Sequence, residues 1–224
     1  MGDSLSGEVA TEASSARTRV RRLPEKQVFS RAALDHILDA GRVGHLAASD
    51  DDGQPYVLPV AYARDADQVI VHGSTGSRLF RSLAAGRPTC FTVTLLDGLV
   101  LARSAFESSM RYRSAMVLGS CKVISDDDAP RGLEVLTEHL MPQRWTDLRP
   151  PLRKEIAATT LLALPIDEWS VKVSDGWPED EPDDAGLPIW AGVLPVQHSF
   201  GAPLDAPDLP PGLKPPAYLR RWLA

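Results

Sequence analysis

The chain of 224 residues has only two cysteines, Cys90 and Cys121, and no Cys-x-x-Cys. That excludes a thiolate zinc centre and a disulfide framework of the secreted kind. Each cysteine sits in an apolar run and reads as a small buried hydrophobe, with one disulfide left open. No run approaches the roughly 18 apolar residues a membrane span needs. The first 22 residues have no apolar core, so no secretory signal is read there, and Gly2 and Ser6 match the myristoylation pattern only in part. There is no surplus of basic charge: 30 acids face 24 bases, giving net charge −6. A dedicated nucleic-acid binder is disfavoured by that balance. A cytoplasmic protein with neither nucleic-acid nor membrane partners is expected. Walker, Rossmann and Gly-x-Ser-x-Gly signatures are all missing. The histidines, His36, His45, His72, His139 and His198, lack metal-ligand spacing.

What the sequence does contain is enough apolar residue, 43%, for a core, and an uneven supply of proline. Fourteen of the 19 prolines follow residue 141. Residues 1–27 are small, polar and charged, with a basic run at Arg17, Arg19, Arg21 and Arg22, and are expected to form a mobile arm. Ser30 suits a helix N-cap and Gly41 a stop. Strands are expected over 43–49, 54–63 and 68–72, with a hairpin turn at Asp50–Gly53. Pro59 should stand at an edge, a bulge or a place without ladder bonds. A short helix over 77–85 precedes a β-prone run over 89–96, a turn or bulge at Asp97-Gly98, and its continuation to 103. Further strands are expected over 111–124, 159–165, 169–173 and 189–196, and helices around 133–140 and 153–158. The segment 174–184, with six acids and two prolines, reads as an exposed loop, and 203–216, with six prolines, as an extended surface tail. About seven strands joined mainly by tight turns predict a mainly β fold, an antiparallel barrel with peripheral helices, and no second domain.

Two constellations could bind an anion. In 69–82, VIVHGSTGSRLFRS, a strand runs through a hydroxyl-rich turn into a helix. Ser74, Thr75, Ser77 and Arg78 would then surround a phosphate, although a plain capped junction has the same look. His72 lies where that strand meets the turn, and is either a structural histidine or a contact to a cofactor ring. In 108–118, SSMRYRSAMVL, strand alternation puts Arg111 and Arg113 on one face and Tyr112 and Ser114 on the other. Paired guanidiniums suit a phosphate, and equally a solvated face.

The order of HGSTGS, GRPTCFTV, LDGLVLARSAFESSMRYRSAMVLG, LPIDEWSVKV and LPIWAGVLPV resembles the pyridoxamine 5′-phosphate oxidase-like flavin-binding split-barrel superfamily. The branch it is most similar to holds flavin-nucleotide-binding and nitroimidazole-resistance-like proteins. The resemblance spans about residues 28–196, leaving 197–224 as the proline-rich tail. It implies a six-stranded split barrel and a homodimer with two FMN sites at its interface, FAD being the alternative. On that resemblance the flavin phosphate falls to Ser74, Ser77 and Arg78, with polar contacts from Arg111, Arg113 and Ser114. The isoalloxazine lies along Leu58, Pro59 and Val60, and His72 comes near the ring or ribityl chain. Trp190 approaches from the partner subunit.

The implied activity is a flavin-dependent oxidoreductase acting on a small molecule. Its donor would be a nicotinamide or a deazaflavin, and its acceptor a nitro compound, a quinone or oxygen. No catalytic residue is assigned. The sequence departs from the true oxidases in two places: Arg78-Leu79 replaces their Arg-Lys pair, and the arginine–histidine substrate motif has no counterpart after Val196. Both argue against oxidation of pyridoxamine phosphate. A non-enzymatic flavin-binding module for storage, sensing or regulation is the alternative reading. A haem-binding split barrel, with His72 as axial ligand, is a third.

Overall fold

The computed structural model describes residues 15–223. Ten strands form one antiparallel sheet. They are β1 (Gln27–Val28), β2 (Val43–Ser49), β3 (Pro55–Asp65), β4 (Gln68–Ser74), β5 (Pro88–Leu101), β6 (Ser109–Ser120), β7 (Lys122–Val123), β8 (Thr159–Pro165), β9 (Glu168–Ser174) and β10 (Gly192–Pro195). Four α-helices accompany them: α1 (Arg31–Ala40), α2 (Arg78–Ala84), α3 (Ala129–Leu140) and α4 (Arg153–Ala157). The spatial order is β1-β9-β6-β5-β2-β3-β4-β8-β7, with β10 added to the far end of β5. Among the described residues no ladder joins β8 to β9, although they are consecutive in the chain. This is the split. The chain spans it at Cys121, where β6, paired with β5 and β9, passes into β7, paired with β8.

Strand alternation builds the core. In β2, Gly44, Leu46 and Ala48 point inward while Val43, His45 and Ser49 point out. Tyr62, Val69, Val71, Phe91, Val93, Ala115, Val117 and Val171 join them inside the barrel. Helix α1, capped by the Ser30 hydroxyl, which accepts the Ala33 N–H at 3.3 Å, adds Leu34, Ile37 and Leu38 to that cluster. Helix α3 covers the outer side of β3, β4 and β8 in a second cluster of Ala63, Ile70, Ala129, Leu136 and Leu161.

Several sequence expectations meet their physical reasons here. The Asp50–Gly53 turn closes with Gly53 at φ 83°, and the Asp50 carboxylate accepts the Asp52 and Gln54 N–H groups at 3.0 and 2.9 Å. Pro59 pairs only with β2, because β4 joins β3 no earlier than Tyr62, so its missing N–H lies on a locally open edge. The register of β5 against β6 slips between Leu96 and Gly98, making Asp97 a bulge residue.

Other expectations are corrected. The ten strands include β1, which was not expected, and β7, which the sequence joined to the strand over 111–124; both are ladders of two residues, too short for periodicity to register. The last strand covers only Gly192–Pro195, not 189–196. The expected arm over 1–27 is pinned from residue 15 onward. Thr18 is 2% exposed, the Gln27 amide bonds the Val20 N–H and the Thr18 carbonyl, and Arg17 pairs with Glu168 on β9. Gly2 and Ser6 lie outside the described residues. Both cysteine thiols are free, and burial pushes that of Cys121 up to about 11. Segment 203–216 contains no helix or strand, as its prolines require. It is tied down at its ends, where Phe200 and Tyr218 flank Trp222 at 5.9 and 5.8 Å and Arg42 lies 5.2 Å from the Phe200 ring centroid. Among the described residues no helix is long and apolar enough to cross a membrane.

Candidate functional site

The strand-to-helix junction after β4 is organised by its own hydroxyls. The Ser74 carbonyl accepts the Ser77 N–H at 2.9 Å and its hydroxyl accepts the Gly76 N–H at 3.1 Å. The Ser77 hydroxyl accepts the Phe80 N–H at 3.4 Å and so caps α2. Helix α2 has only seven residues and buries Phe80 and Leu83. It sits close because Gly73 has no side chain: a Cβ there would stand 2.5 Å from the Phe80 ring. With the amides and hydroxyls of the turn largely engaged with one another, the free anion-binding capacity lies in the arginines beyond it, above all Arg78 and Arg81, which have no carboxylate partner among the described residues.

Those arginines line a cleft of about 550 Å3 between α2 and the β2–β3 hairpin. Its apolar floor is Ala48, Leu58, Leu79 and Ala85, and Arg78, Arg81 and Arg87 stand around it. Arg78 leans over Tyr56, its Cζ 5.0 Å from the ring centroid, and donates to the phenol oxygen at 3.0 Å. Arg87 donates to the Asp50 carbonyl at 3.2 Å and pairs with the Asp51 carboxylate. The Ser82 hydroxyl, also on this wall, is buried without a hydrogen-bond partner among the described residues. An unsatisfied buried hydroxyl costs about 1–3 kcal/mol, and a bound ligand would remove that cost. An apolar floor with a cationic rim and one waiting hydroxyl suits a planar ring carrying a phosphate.

Of the residues singled out from sequence, Leu58, Ser77 and Arg78 meet in this cleft. Val60 faces the same way but packs on the core, while Pro59 turns to the outer surface. Ser74 is spent on its turn. His72 and Ser74 alternate with the inward-facing Val71 and so lie on the opposite face of β4. Burial holds the His72 imidazole below its ordinary pKa. The expected arginine pair is not at this cleft. Arg113 grips Asp97 through two bonds of 2.9 and 2.7 Å, which holds that carboxyl below its usual range. Arg111 donates to the Gly176 carbonyl at 3.0 Å and lies 4.8 Å over the Trp177 ring. Ser114 pairs with Thr94 and Lys172 across its ladders, away from the cleft. Trp190, 69% exposed, packs over Gly192 at the approach to β10.

Tyr56, Arg81, Ser82 and Arg87 were not foreseen. Two had a local signal: Tyr56 is two residues before Leu58 on one strand face, and Arg81 is three after Arg78 on the helix. Arg87 had none, since only the fold brings it to the hairpin.

Comparison with known proteins places this geometry in a family. The family model described as pyridoxamine 5′-phosphate oxidase matches residues 30–173, and the chain belongs to that family. Its fold is the split barrel of that family's structures. The FAD and haem binding protein of Mycobacterium smegmatis is 46% identical, with a TM-score of 0.85 over 88% of this chain and 97% of that one. The flavocytochrome Anf3 of Azotobacter vinelandii is 37% identical, with a TM-score of 0.87 over 95% of this chain and 99% of that one. A Bacteroides thetaiotaomicron protein, described as a candidate 5-nitroimidazole antibiotic resistance protein, shares the fold at 18% identity and a TM-score of 0.56, over 76% of this chain and 90% of its own. Comparison with curated proteins gives no match.

Proposed function

We propose that this protein is a flavin-binding redox protein, with the flavin seated in the cleft between α2 and the β2–β3 hairpin. The observation that carries this reading is the grouping of Arg78, Arg81 and Arg87 around an apolar floor, beside the unpartnered hydroxyl of Ser82. The guanidiniums would hold phosphate through charge-assisted bonds, and Leu58 and Tyr56 would support the ring. A bound flavin supplies hydride or electron transfer; the chain's own residues bind it, orient it and exclude water from one face. The similarity to a structure described as FAD and haem binding, at 46% identity, and to a flavocytochrome, at 37%, supports the reading, and the first of them favours FAD over the FMN expected from sequence. The substrate or electron donor is a small molecule that meets the exposed flavin face.

The working form is a homodimer. The outer face of β2 and β3 presents Val43 and Val57, 54% and 59% exposed, beside Pro59 and His45, an apolar strip suited to a second copy. The exposed Trp190 would then reach toward the cleft of its partner.

A second cofactor, haem, is favoured by one observation. Among the described residues the His72 imidazole has no hydrogen-bond partner, and it stands exposed on the outer face of β4, open to a ligand. Both of the more identical structures belong to haem- or cytochrome-type flavoproteins. His72 would hold the haem iron.

The test is the absorption spectrum of the purified protein. Flavin released on denaturation is expected and identified by mass; a colourless chain that takes up neither FMN nor FAD would sink the main reading. A Soret band lost in His72→Ala is expected for the second reading, and a band that persists in that variant removes His72 as ligand.

A further inference from the structure

We propose that a second cleft, on the opposite face of the sheet at the turn end of the β2–β3 hairpin, seats the adenylate half of FAD. The inference rests on the flavin reading above and concerns the part of the ligand that FMN lacks. This cleft has a volume of about 450 Å3 and shares Ala48 and Ser49 with the first as a common wall. The two grooves also meet in sequence: Arg87 lines the first, and the next residue, Pro88, lines the second.

The floor of the second cleft is a row of three side chains running across the sheet. Ala47, Cys90 and Leu118 are successive Cα partners across β2, β5 and β6, and all three project from the outer face of the barrel. Neighbouring strands stand about 4.8 Å apart, so this row of uncharged side chains extends roughly 10 Å. Pro55, opposite Ser49, and Pro88, opposite Ser120, frame one end. An uncharged floor of that length, edged by rigid pyrrolidine rings, fits the face of a planar heteroaromatic base rather than a chain of charges.

Cations stand where the charged part of such a ligand would lie. Arg87, at the junction, is 39% exposed while tied to Asp51 and the Asp50 carbonyl, so its guanidinium is fixed beside the path between the grooves. Arg17 stands on the far rim, held by Glu168 through Nε and Nη2. A flavin mononucleotide would end in the first cleft. A dinucleotide would carry its pyrophosphate past Arg87 and lay adenine on the Ala47–Cys90–Leu118 floor, with Arg17 over its edge. This gives the pinned segment from residue 15 a role: it closes the second groove.

The experiment compares FMN and FAD binding to flavin-free protein by fluorescence titration, with AMP as competitor. The expected result is that wild-type protein binds FAD at least tenfold more tightly than FMN, and that AMP displaces FAD but not FMN. Leu118→Trp, which fills the floor, should bring FAD affinity down to that of FMN and leave FMN unchanged. Arg17→Ala, at an exposed side chain outside the core, should narrow the same ratio and serves if the tryptophan variant misfolds or changes its oligomeric state. An unchanged FAD-to-FMN ratio in the variants, or an equal loss of both flavins, overturns the proposal while leaving the flavin reading standing. A chain that binds neither flavin overturns both.

Discussion

The ring of Phe80 lies against the bare Cα of Gly73, so closely that a Cβ at that position would stand 2.5 Å from it. This contact fixes how near α2 approaches β4, and hence where Arg78 and Arg81 stand over the cleft. Gly73→Ala should therefore push the helix outward. Overpacking of this kind costs about 1–3 kcal/mol. Thermal denaturation should show the loss, and flavin affinity should fall with it. If stability drops while affinity holds, α2 does not position the binding groups.

Arg78 and Arg81 share one side of α2 with the apolar floor of the cleft. Removing a charge-assisted hydrogen bond costs about 1.5–3 kcal/mol. Arg78→Ala and Arg81→Ala should each weaken flavin binding by tenfold or more in equilibrium titration and hardly move the melting temperature, because both side chains are exposed. Arg113→Ala makes a useful contrast. It breaks the pair with Asp97 at the β5 bulge, a partly exposed bridge worth about 1 kcal/mol or less, and should lower stability more than it affects the cleft.

Val57 is 59% exposed on the outer face. Val57→Lys should leave the fold intact and dissociate the proposed dimer in light scattering. A dimer that survives the added charge places the interface elsewhere.

His139 joins α3 to the end of α1, its Nε2 2.7 Å from the Gly41 carbonyl and its ring 5.1 Å from that of Tyr62. Burial outweighs that hydrogen bond and holds the imidazole below its ordinary pKa of 6.5. A base with a depressed folded pKa stabilises fully above the unfolded value. Its contribution is lost as pH falls from 6.5 through the lower folded value, because the unfolded chain takes the proton first. Stability should thus decline on acidification from pH 7, by at most about 1.4 kcal/mol per pH unit for one such group. His72 adds a slope of the same sign. His139→Gln should flatten the curve in part, and an unchanged slope in urea titrations at several pH values would assign it to other groups.

The parts of the fold legible in the sequence are those fixed by near neighbours. The Asp50–Gly53 turn, the Ser30 and Ser77 caps and the bulge at Asp97 depend on side chains and backbone within a few residues, and each lies where the sequence indicates. Two-residue ladders such as β1 and β7 leave no periodic trace, because they exist only through a partner strand far along the chain. The candidate site divides in the same way. Ser77, Arg78 and Leu58 were identified by local pattern and by resemblance, whereas Arg87 joins them through a hairpin some 35 residues earlier.

The sequence by itself determined the order of strands and helices, the apolar faces that make the barrel, and a hydroxyl-rich junction beside an arginine. Periodicity carries that information because side-chain direction repeats every two residues in a strand and every 3.6 in a helix. Only the tertiary structure decided what each face meets. Arg113 spends its charge on Asp97, sixteen residues away across a bulge, while Arg78, Arg81 and Arg87, from a helix and the turn that follows it, surround one groove. A guanidinium binds whichever anion comes within reach, and reach is set by how the sheet curls.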